Sequence, residues 1–171
     1  RLVNTAPASV ATTMMYNVRG DLIQLRDAAG NVTGFDVDSL GRTIVERDLA
    51  SGTTQTFYNQ AGEVDRQINA LAETTAFTYD ALGRTKTKTT RAGTSLAKST
   101  TFDYDTAEAG FANTGHLTRA TDGLGFTSYS YNPSGRLART VRRFVSDGDT
   151  PPPDQVFSYF YDEAGRPEET V

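Results

Sequence analysis

Aromatic residues recur at every second position in short segments along the chain. The clearest examples are Phe77-Thr78-Tyr79, Phe102-Asp103-Tyr104, Tyr129-Ser130-Tyr131 and Tyr159-Phe160-Tyr161. Successive side chains of a β-strand point to opposite faces, so a period of two places these rings on one face of a sheet. Residues 85–89 alternate threonine with lysine, which predicts a strand with Lys86 and Lys88 facing solvent. The pattern therefore predicts β-strands.

A turn signal follows these segments at regular spacing. An Asp or Asn stands three residues before a Gly and in most copies directly after a Tyr. We call these Asp and Asn residues the anchors; they are Asn17, Asp38, Asn59, Asp80, Asp105, Asn132 and Asp162. The first three intervals between anchors are each 21 residues, and the later ones are 25, 27 and 30. The longer intervals predict loops inserted into a fixed unit, and the Gly that belongs to Asp105 is displaced to Gly115.

The residue types explain why each anchor makes a turn. A type I turn favours Asp or Asn at its first position and Gly at its fourth, because the side chain bonds nearby backbone and Gly accepts positive φ. Weaker signals of the same kind lie between the anchors, at Asp27-Ala28-Ala29-Gly30, Asp48 to Gly52, Asp122-Gly123-Leu124-Gly125 and, without its Gly, Asn69 to Ala72. Two strands of about six residues and two turns of about four account for one interval. Each unit is therefore predicted to be one β-hairpin.

Stacked hairpins predict the fold class. We expect an all-β chain of tandem β-hairpin repeats that form an extended, curved antiparallel sheet. Residues 1–171 would make a single array of about seven units, with the anchor tyrosines side by side as a ladder. The one segment with room for a short helical turn lies between Asp105 and Gly115.

Charge and composition narrow the function. The net charge of -4 and the pI near 5.0 argue against nucleic-acid binding, which needs a basic face. The absence of cysteine excludes disulfides, thiolate zinc sites and cysteine nucleophiles. No apolar run approaches the roughly 20 residues that span a bilayer.

The hexapeptides Tyr79-Asp80-Ala81-Leu82-Gly83-Arg84 and Tyr161-Asp162-Glu163-Ala164-Gly165-Arg166 resemble a known repeat. They are similar to the YD repeat of Rhs proteins, Tc-toxin C components and teneurins, and the resemblance runs from about Tyr16 to Arg166. It implies a strip of hairpins that spirals into a hollow shell. In bacterial members the shell encloses a toxic C-terminal domain, whereas in teneurins it is an extracellular scaffold.

The resemblance sets several expectations. The chain would be an internal fragment of a larger secreted or cell-surface protein, bacterial in origin, with a structural role, no catalysis and no cofactor. Its partners would be the remainder of its own polypeptide, including the shell and the enclosed domain, and a secretion-system or toxin-complex component. The alternative function is an extracellular adhesion module that binds carbohydrate or protein through its loops.

The repeat motif supplies the residues expected to carry the architecture. They are Tyr16, Asn17, Gly20, Asp38, Gly41, Arg42, Tyr58, Asn59, Gly62, Tyr79, Asp80, Gly83, Arg84, Tyr104, Asp105, Gly115, Tyr131, Asn132, Gly135, Arg136, Tyr161, Asp162, Gly165 and Arg166. Val37 replaces the tyrosine in the second unit. Asp21, Glu63 and His116 stand after the Gly where the other units have Arg.

Two pairs of carboxylates and the single histidine are residues of the chain that could suggest catalysis or metal binding. The pairs Asp36 with Asp38 and Asp103 with Asp105 could suggest a glycosidase, but one member of each pair is an anchor whose turn chemistry already explains it. The lone His116 makes neither a metal site nor a triad. No catalytic, cofactor-binding or metal-binding residue is assigned.

Three further groups of residues are candidates for ligand binding: an acidic loop, a basic cluster and the aromatic residues. Asp147, Asp149 and Asp154 do not have the spacing of an EF-hand and indicate a solvated loop. The cluster Arg139, Arg142 and Arg143 is expected to pair with acidic residues. The anchor tyrosines are interpreted as packing the sheet, and loop aromatics such as Phe111 remain candidates for a carbohydrate platform.

Overall fold

A computed structural model describes residues 11–145 and 152–170, and its regular secondary structure consists of β-strands. The fourteen strands of the described residues are β1 (Thr13–Tyr16), β2 (Leu22–Arg26), β3 (Val32–Val37), β4 (Thr43–Asp48), β5 (Gly52–Tyr58), β6 (Val64–Ile68), β7 (Thr74–Tyr79), β8 (Thr85–Thr90), β9 (Lys98–Tyr104), β10 (Leu117–Asp122), β11 (Gly125–Tyr131), β12 (Leu137–Phe144), β13 (Gln155–Tyr161) and β14 (Pro167–Thr170). In this part of the chain, no helix is long and apolar enough to span a membrane.

The chain divides into two compact units, residues 1–74 and 75–171. In the first unit, β1 to β6 follow one another as antiparallel neighbours. In the second, β7 to β14 do the same. The prediction of an all-β fold built from tandem hairpins is therefore confirmed. The residues between Asp105 and Gly115 form an irregular loop and no helical turn.

A β-bulge accompanies most anchor hairpins. The register of the strand pair shifts directly before the anchor position at Tyr16, Val37, Tyr58, Tyr79, Tyr131 and Tyr161. The cause is the glycine that closes the turn, since Gly20 has φ 88° and Gly62 has φ 88°. A type I turn followed by a left-handed residue gives the three-residue hairpin loop with a bulge. Such a bulge increases the local twist of the sheet.

The described residues contain no fully buried hydrophobic side chain. The buried side chains are polar, namely Asn113, Thr118 and Ser130. Lys86 and Lys88 are exposed, as predicted, whereas Thr87 and Thr89, which alternate with them in β8, are half-buried. The sheet therefore depends on backbone ladders and cross-strand side-chain pairs, which contribute roughly 0.2–1 kcal/mol each.

The weaker turns between anchors use the same chemistry. Asn69 Oδ1 accepts from the backbone N–H of Leu71 at 3.0 Å and of Glu73 at 2.9 Å. Ala72 occupies the closing position with φ 59°, the left-handed region that favours glycine. The turn predicted here without its Gly is formed, at the cost of placing a Cβ in an unfavourable conformation.

Replacing Ala72 with glycine is expected to stabilise the first unit by about 1 kcal/mol, because it removes the left-handed penalty of an L-residue. The measurement is the free energy of unfolding from urea titration. Ala50→Gly is the matched control, since Ala50 lies in the turn after β4 and is not among the non-glycine residues with positive φ. There the added backbone freedom should give no gain, and equal effects of the two substitutions would contradict the argument.

Candidate functional site: the row of anchor turns

Each anchor turn is held by its own backbone and by the anchor side chain. In the turn after β7, the N–H of Asp80 donates to the carbonyl of Arg84 at 2.9 Å, and the N–H of Gly83 donates to the carbonyl of Asp80 at 3.0 Å. Asp80 Oδ1 accepts from the N–H of Leu82 and of Arg84, both at 2.9 Å. The turns at Asn17, Asp38 and Asn132 repeat this pattern. The predicted turn chemistry is thus the chemistry observed.

In five of the seven anchor turns, the second polar atom of the anchor side chain binds the residue that follows the glycine. We call this the exit residue; the seven are Asp21, Arg42, Glu63, Arg84, His116, Arg136 and Arg166. Where the anchor is Asp, its Oδ2 accepts from an arginine Nε, at 2.8 Å in Asp38–Arg42 and 2.7 Å in Asp80–Arg84. Asp162 and Arg166 form the same pair at 2.7 Å.

Where the first and third anchors are Asn, the exit residue is an acid. Asn17 Nδ2 donates to Asp21 at 2.8 Å, and Asn59 Nδ2 donates to Glu63 at 2.8 Å. An amide nitrogen needs an acceptor just as a carboxylate oxygen needs a donor. Asp21 and Glu63, which depart from the Arg pattern in the sequence, therefore complete the hydrogen bonding of their own anchors.

The exit residue also reaches forward to the next anchor turn. The guanidinium carbon of Arg42 lies 4.2 Å from the ring centre of Tyr58, and that of Arg84 lies 4.3 Å from Tyr104. A more distant stack of 5.6 Å joins Arg136 to Tyr161. His116 stacks on Tyr131 with ring centres 4.2 Å apart and an interplanar angle of 16°.

The tyrosine hydroxyl returns a hydrogen bond to the preceding turn. Tyr58 donates to the carbonyl of Thr43 at 2.9 Å, Tyr104 to that of Thr85 at 3.0 Å, and Tyr161 to that of Leu137 at 2.8 Å. These three rings and that of Tyr131 therefore lie against the exit residue of the preceding turn. We call the contact between an exit residue and the tyrosine or glycine of the next anchor turn the forward link.

The forward link explains a second requirement for glycine. A Cβ on Gly41 would lie 2.8 Å from Oδ1 of Asp21, the exit residue of the turn before it. A Cβ on Gly62 or Gly135 would lie 3.5 Å from Arg42 or His116, which is ordinary van der Waals contact. Gly41 thus supplies both a left-handed backbone and space for the preceding exit residue.

Gly20 and Gly41 separate these two requirements. Both have positive φ, 88° and 78°, but nothing lies within 4 Å of a Cβ on Gly20. Each alanine substitution should cost about 1–2 kcal/mol for the left-handed conformation. Gly41→Ala should cost about 1 kcal/mol more, because Asp21 is held by Asn17 and Arg19 and cannot move freely. Urea titration of the two variants measures the difference.

A double substitution checks whether Asp21 is the source of the extra stability cost of Gly41→Ala. In an Asp21→Ala background, the exit side chain is gone and the two glycine substitutions should become equivalent. A difference that persists without Asp21 would show that the crowding has another source.

Hydrogen bonds hold the pKa of the turn carboxylates low. The side chain of Arg42 and backbone N–H groups lower the pKa of Asp38, and the backbone N–H of Arg84 is the main cause of the lowered pKa of Asp80. In the turn after β4, hydrogen bonds from the backbone N–H of Ser51 and the hydroxyl of Thr33 lower the pKa of Asp48 to about 2. These carboxylates act as acceptors in their charged form.

The lowered pKa of Asp48 predicts a loss of stability in acid. Folding lowers this pKa from 3.8, so the charged carboxylate stabilises the fold above that pH, and the contribution disappears as the pH falls towards about 2. The difference in urea midpoint between the wild type and Asp48→Asn should therefore be largest above pH 4 and shrink by pH 2. A difference that stays constant from pH 5 to pH 2 would contradict the linkage.

The turn at Asp105 keeps the backbone hydrogen bond between anchor and exit residue, although a loop is inserted into the turn. Asp105 has φ 61°, its N–H donates to the carbonyl of His116 at 3.1 Å, and its Oδ1 accepts from Gly115 N–H at 2.5 Å. Arg84 forms ion pairs with both Asp80, at 2.7 Å, and Asp105, at 2.8 Å. The displaced Gly115 thus serves the same anchor, as the sequence predicted.

The inserted loop, residues 106–114, docks on the neighbouring strands. Asn113 Oδ1 accepts from the N–H of Tyr131 at 3.0 Å, and Glu108 accepts from the hydroxyl of Ser130 at 2.6 Å. Glu108 also pairs with Arg139, whose guanidinium lies 4.8 Å from the ring centre of Phe111. Phe111 is half-buried, and its ring packs against the Arg139 guanidinium.

Three of the four paired carboxylates are engaged by arginine side chains. Asp36 binds Arg47 at 2.5 Å, Asp38 binds Arg42 and Asp105 binds Arg84. Within the described ranges, no group of three or more metal-ligating side chains comes together.

The basic cluster pairs with acids as expected. Arg139 pairs with Glu108, Arg142 with Asp122 at 3.2 Å and Arg143 with Asp154 at 2.5 Å. Asp154 is thereby committed to an ion pair. Asp147 and Asp149 lie outside the described residues.

Comparison with solved structures identifies the fold. The chain matches the crystal structure of TcdB2-TccC3 over 98% of its length with a TM-score of 0.75 and 15% identity. It matches the Photorhabdus luminescens Tc holotoxin pore over 93% of its length with a TM-score of 0.69 and 17% identity. The chain has the fold of these Tc toxin structures. The resemblance to a YD-repeat shell inferred from the sequence is confirmed for the fold.

The matched region is a small part of each toxin structure. The chain covers 10% of the TcdB2-TccC3 chain and 9% of the holotoxin chain. It also covers 9% of the chain in TcdB2-TccC3 without the hypervariable C-terminal region, with a TM-score of 0.70 and 16% identity. No family model and no curated protein sequence matches the chain.

Proposed function

We propose that this chain is a structural segment of a YD-repeat shell that encloses or displays an effector domain of a larger secreted protein, with no catalysis of its own. The observation that carries the proposal is the forward link, in which an exit residue of one anchor turn locks onto the tyrosine and glycine of the next. It lets hairpins be added without a hydrophobic core, which is what an extended wall requires.

Two further observations support this role. The carboxylates of the anchor turns are used as turn and ion-pair acceptors, so the repeat assigns them structural work. The solved structures with the same fold are parts of Tc toxin complexes. The proposed partners are accordingly the remainder of the polypeptide, an enclosed domain and a toxin-complex component, and the proposed location is the outside of a bacterial cell.

Protection from proteolysis tests the enclosure. The full polypeptide that contains this array is digested with a low concentration of protease, and the fragments are assigned by mass spectrometry. Segments outside the array should be protected in the wild type and in Gly123→Ala, which has open space at its Cβ. The same segments should be cut in Gly125→Ala, where a Cβ would overlap backbone.

Two results would overturn the proposal. One is a wild-type polypeptide in which every segment outside the array is cut as fast as in an unfolded control. The other is continued protection when circular dichroism shows that Gly125→Ala has unfolded the array.

A further inference from the structure

The second unit contains a recess of about 300 Å³ on the surface of β9 to β12. The inserted loop forms one wall with Glu108, and the strands supply Asp103, Arg119, Phe126, Ser128 and Arg139. This volume is in the range of small-ligand sites, which combine apolar surface with a few converging polar groups. The recess lies apart from the row of glycines and exit residues, so the forward link does not account for it.

Three polar groups in the recess have hydrogen-bonding capacity that the fold does not use. Within the described residues, the carboxylate of Asp103, the guanidinium of Arg119 and the hydroxyl of Ser128 have no hydrogen bond or ion pair. Asp103 and Arg119 are direct cross-strand partners, and Arg119 is opposite Ser128 on the other side, so the three groups lie in one row on one face. This contrasts with Arg139, Arg142 and Arg143 nearby, each of which is paired with an acid.

The recess is held in shape before any ligand arrives. The guanidinium carbon of Arg119 lies 3.7 Å from the ring centre of Phe126, which fixes the plane of its donors. The loop wall is fastened by Glu108 to Ser130 and Arg139, and by Asn113 to Tyr131. Binding to such a site loses little conformational entropy, because its groups are already ordered.

The chemistry of the lining selects the class of ligand. Two arginines, Arg119 and Arg139, are balanced by two acids, Asp103 and Glu108, so neither an anion nor a cation gains net attraction. The unused groups comprise donors in Arg119, an acceptor in Asp103 and a hydroxyl in Ser128 that can do both. A ligand must therefore offer donors and acceptors close together, as the neighbouring hydroxyls of a sugar do.

We propose that this recess binds a neutral sugar residue, with Asp103 accepting hydrogen bonds from its hydroxyls and Arg119 and Ser128 donating to its oxygens. The partly apolar wall of Phe126 and the loop would contact the carbon-bound hydrogens of the ring. The site adds a ligand-binding surface to the proposed wall and does not depend on what the wall encloses.

Saturation-transfer NMR of the 171-residue chain with the methyl pyranosides of glucose, galactose, mannose and N-acetylglucosamine tests the proposal. At least one should bind saturably, and Asp103→Asn and Arg119→Leu should each weaken that sugar at least tenfold. Arg66→Leu is the matched control, because Arg66 stacks on Phe57 at 4.2 Å in the first unit, away from the recess. It should bind the sugar as the wild type does.

The remaining arms decide between ligand classes. Sialic acid and glycine are tested beside the neutral sugars, and saturable binding of either charged compound without a neutral sugar would overturn the assignment. No saturable binding of any neutral sugar, or equal loss in Arg66→Leu, would also overturn it. Circular dichroism confirms that each variant is folded, and since none of them alters an anchor turn, failure here leaves the proposed shell function standing.

Discussion

Gly125→Ala should destabilise the second unit by about 3 kcal/mol or more, the largest single-residue effect expected in this chain. Gly125 begins β11 with φ 140° and pairs with Phe144 of β12. A Cβ there would overlap the backbone carbonyl oxygen of Arg143 and come within 2.9 Å of the Cα of Phe144. These are backbone atoms of β12, which cannot move aside as a side chain can, so β11 and β12 would separate locally.

Gly123 in the same turn is the matched control. It has open space around its Cβ position and no positive φ, so Gly123→Ala should change the free energy of unfolding by less than about 0.5 kcal/mol. Chemical unfolding followed by circular dichroism compares the two. Similar effects at both positions would mean that the turn tolerates a side chain where the structure has no room for one.

Tyr58→Ala should be the most damaging side-chain truncation in the first unit, at about 3 kcal/mol. It removes a half-buried ring, the stack with Arg42 at 4.2 Å and the hydrogen bond to Thr43 at 2.9 Å. The stack contributes about 0.5–1 kcal/mol and the hydrogen bond about 1 kcal/mol, and ring burial makes up the rest. Tyr58→Phe should therefore recover all but about 1 kcal/mol.

Truncation of Tyr16 separates the stability contributed by the forward link from that contributed by an anchor tyrosine side chain alone. The side chain of Tyr16 is 56% exposed, and its hydroxyl donates to Met14 Sδ at 3.2 Å rather than to a backbone carbonyl of another anchor turn. Tyr16→Ala should cost about 1 kcal/mol or less. Urea titration of the three variants gives the ranking, and a Tyr16→Ala effect as large as that of Tyr58→Ala would remove the forward link as the source of the stability.

The sequence predicted what is local in this fold. An anchor bonds groups within four residues of itself, so Asp80 and Gly83 suffice to define a turn whatever surrounds them. Alternation such as Phe77-Thr78-Tyr79 likewise reports the strand on which it lies. These interactions repeat in every unit, which is why spacing alone indicated hairpins and even placed Gly115 with its distant anchor.

The contacts between successive anchor turns were harder to infer because they join residues about 15 to 25 positions apart. The sequence nevertheless carried a signal for one of them. After the glycine, Asn17 and Asn59 have an acid, whereas Asp38 and Asp80 have an arginine. This correspondence indicates a direct pair between anchor and exit residue in these turns, although Asn132 with Arg136 departs from it. Nothing comparable marked the recess, since Asp103, Arg119 and Ser128 meet only through strand register.

The backbone hydrogen bond between Asp105 and His116, which is kept although a loop is inserted between them, has a practical meaning for protein engineering. Nine residues separate Asp105 from Gly115, yet the N–H of Asp105 donates to the carbonyl of His116 as in an anchor turn of ordinary length, and Gly115 still donates to the Asp105 side chain. Lengthening a surface loop costs little entropy, since each doubling adds only about 0.6 kcal/mol. Anchor turns are therefore sites where a foreign peptide can be grafted between the Asp and its Gly while the sheet beneath keeps its register.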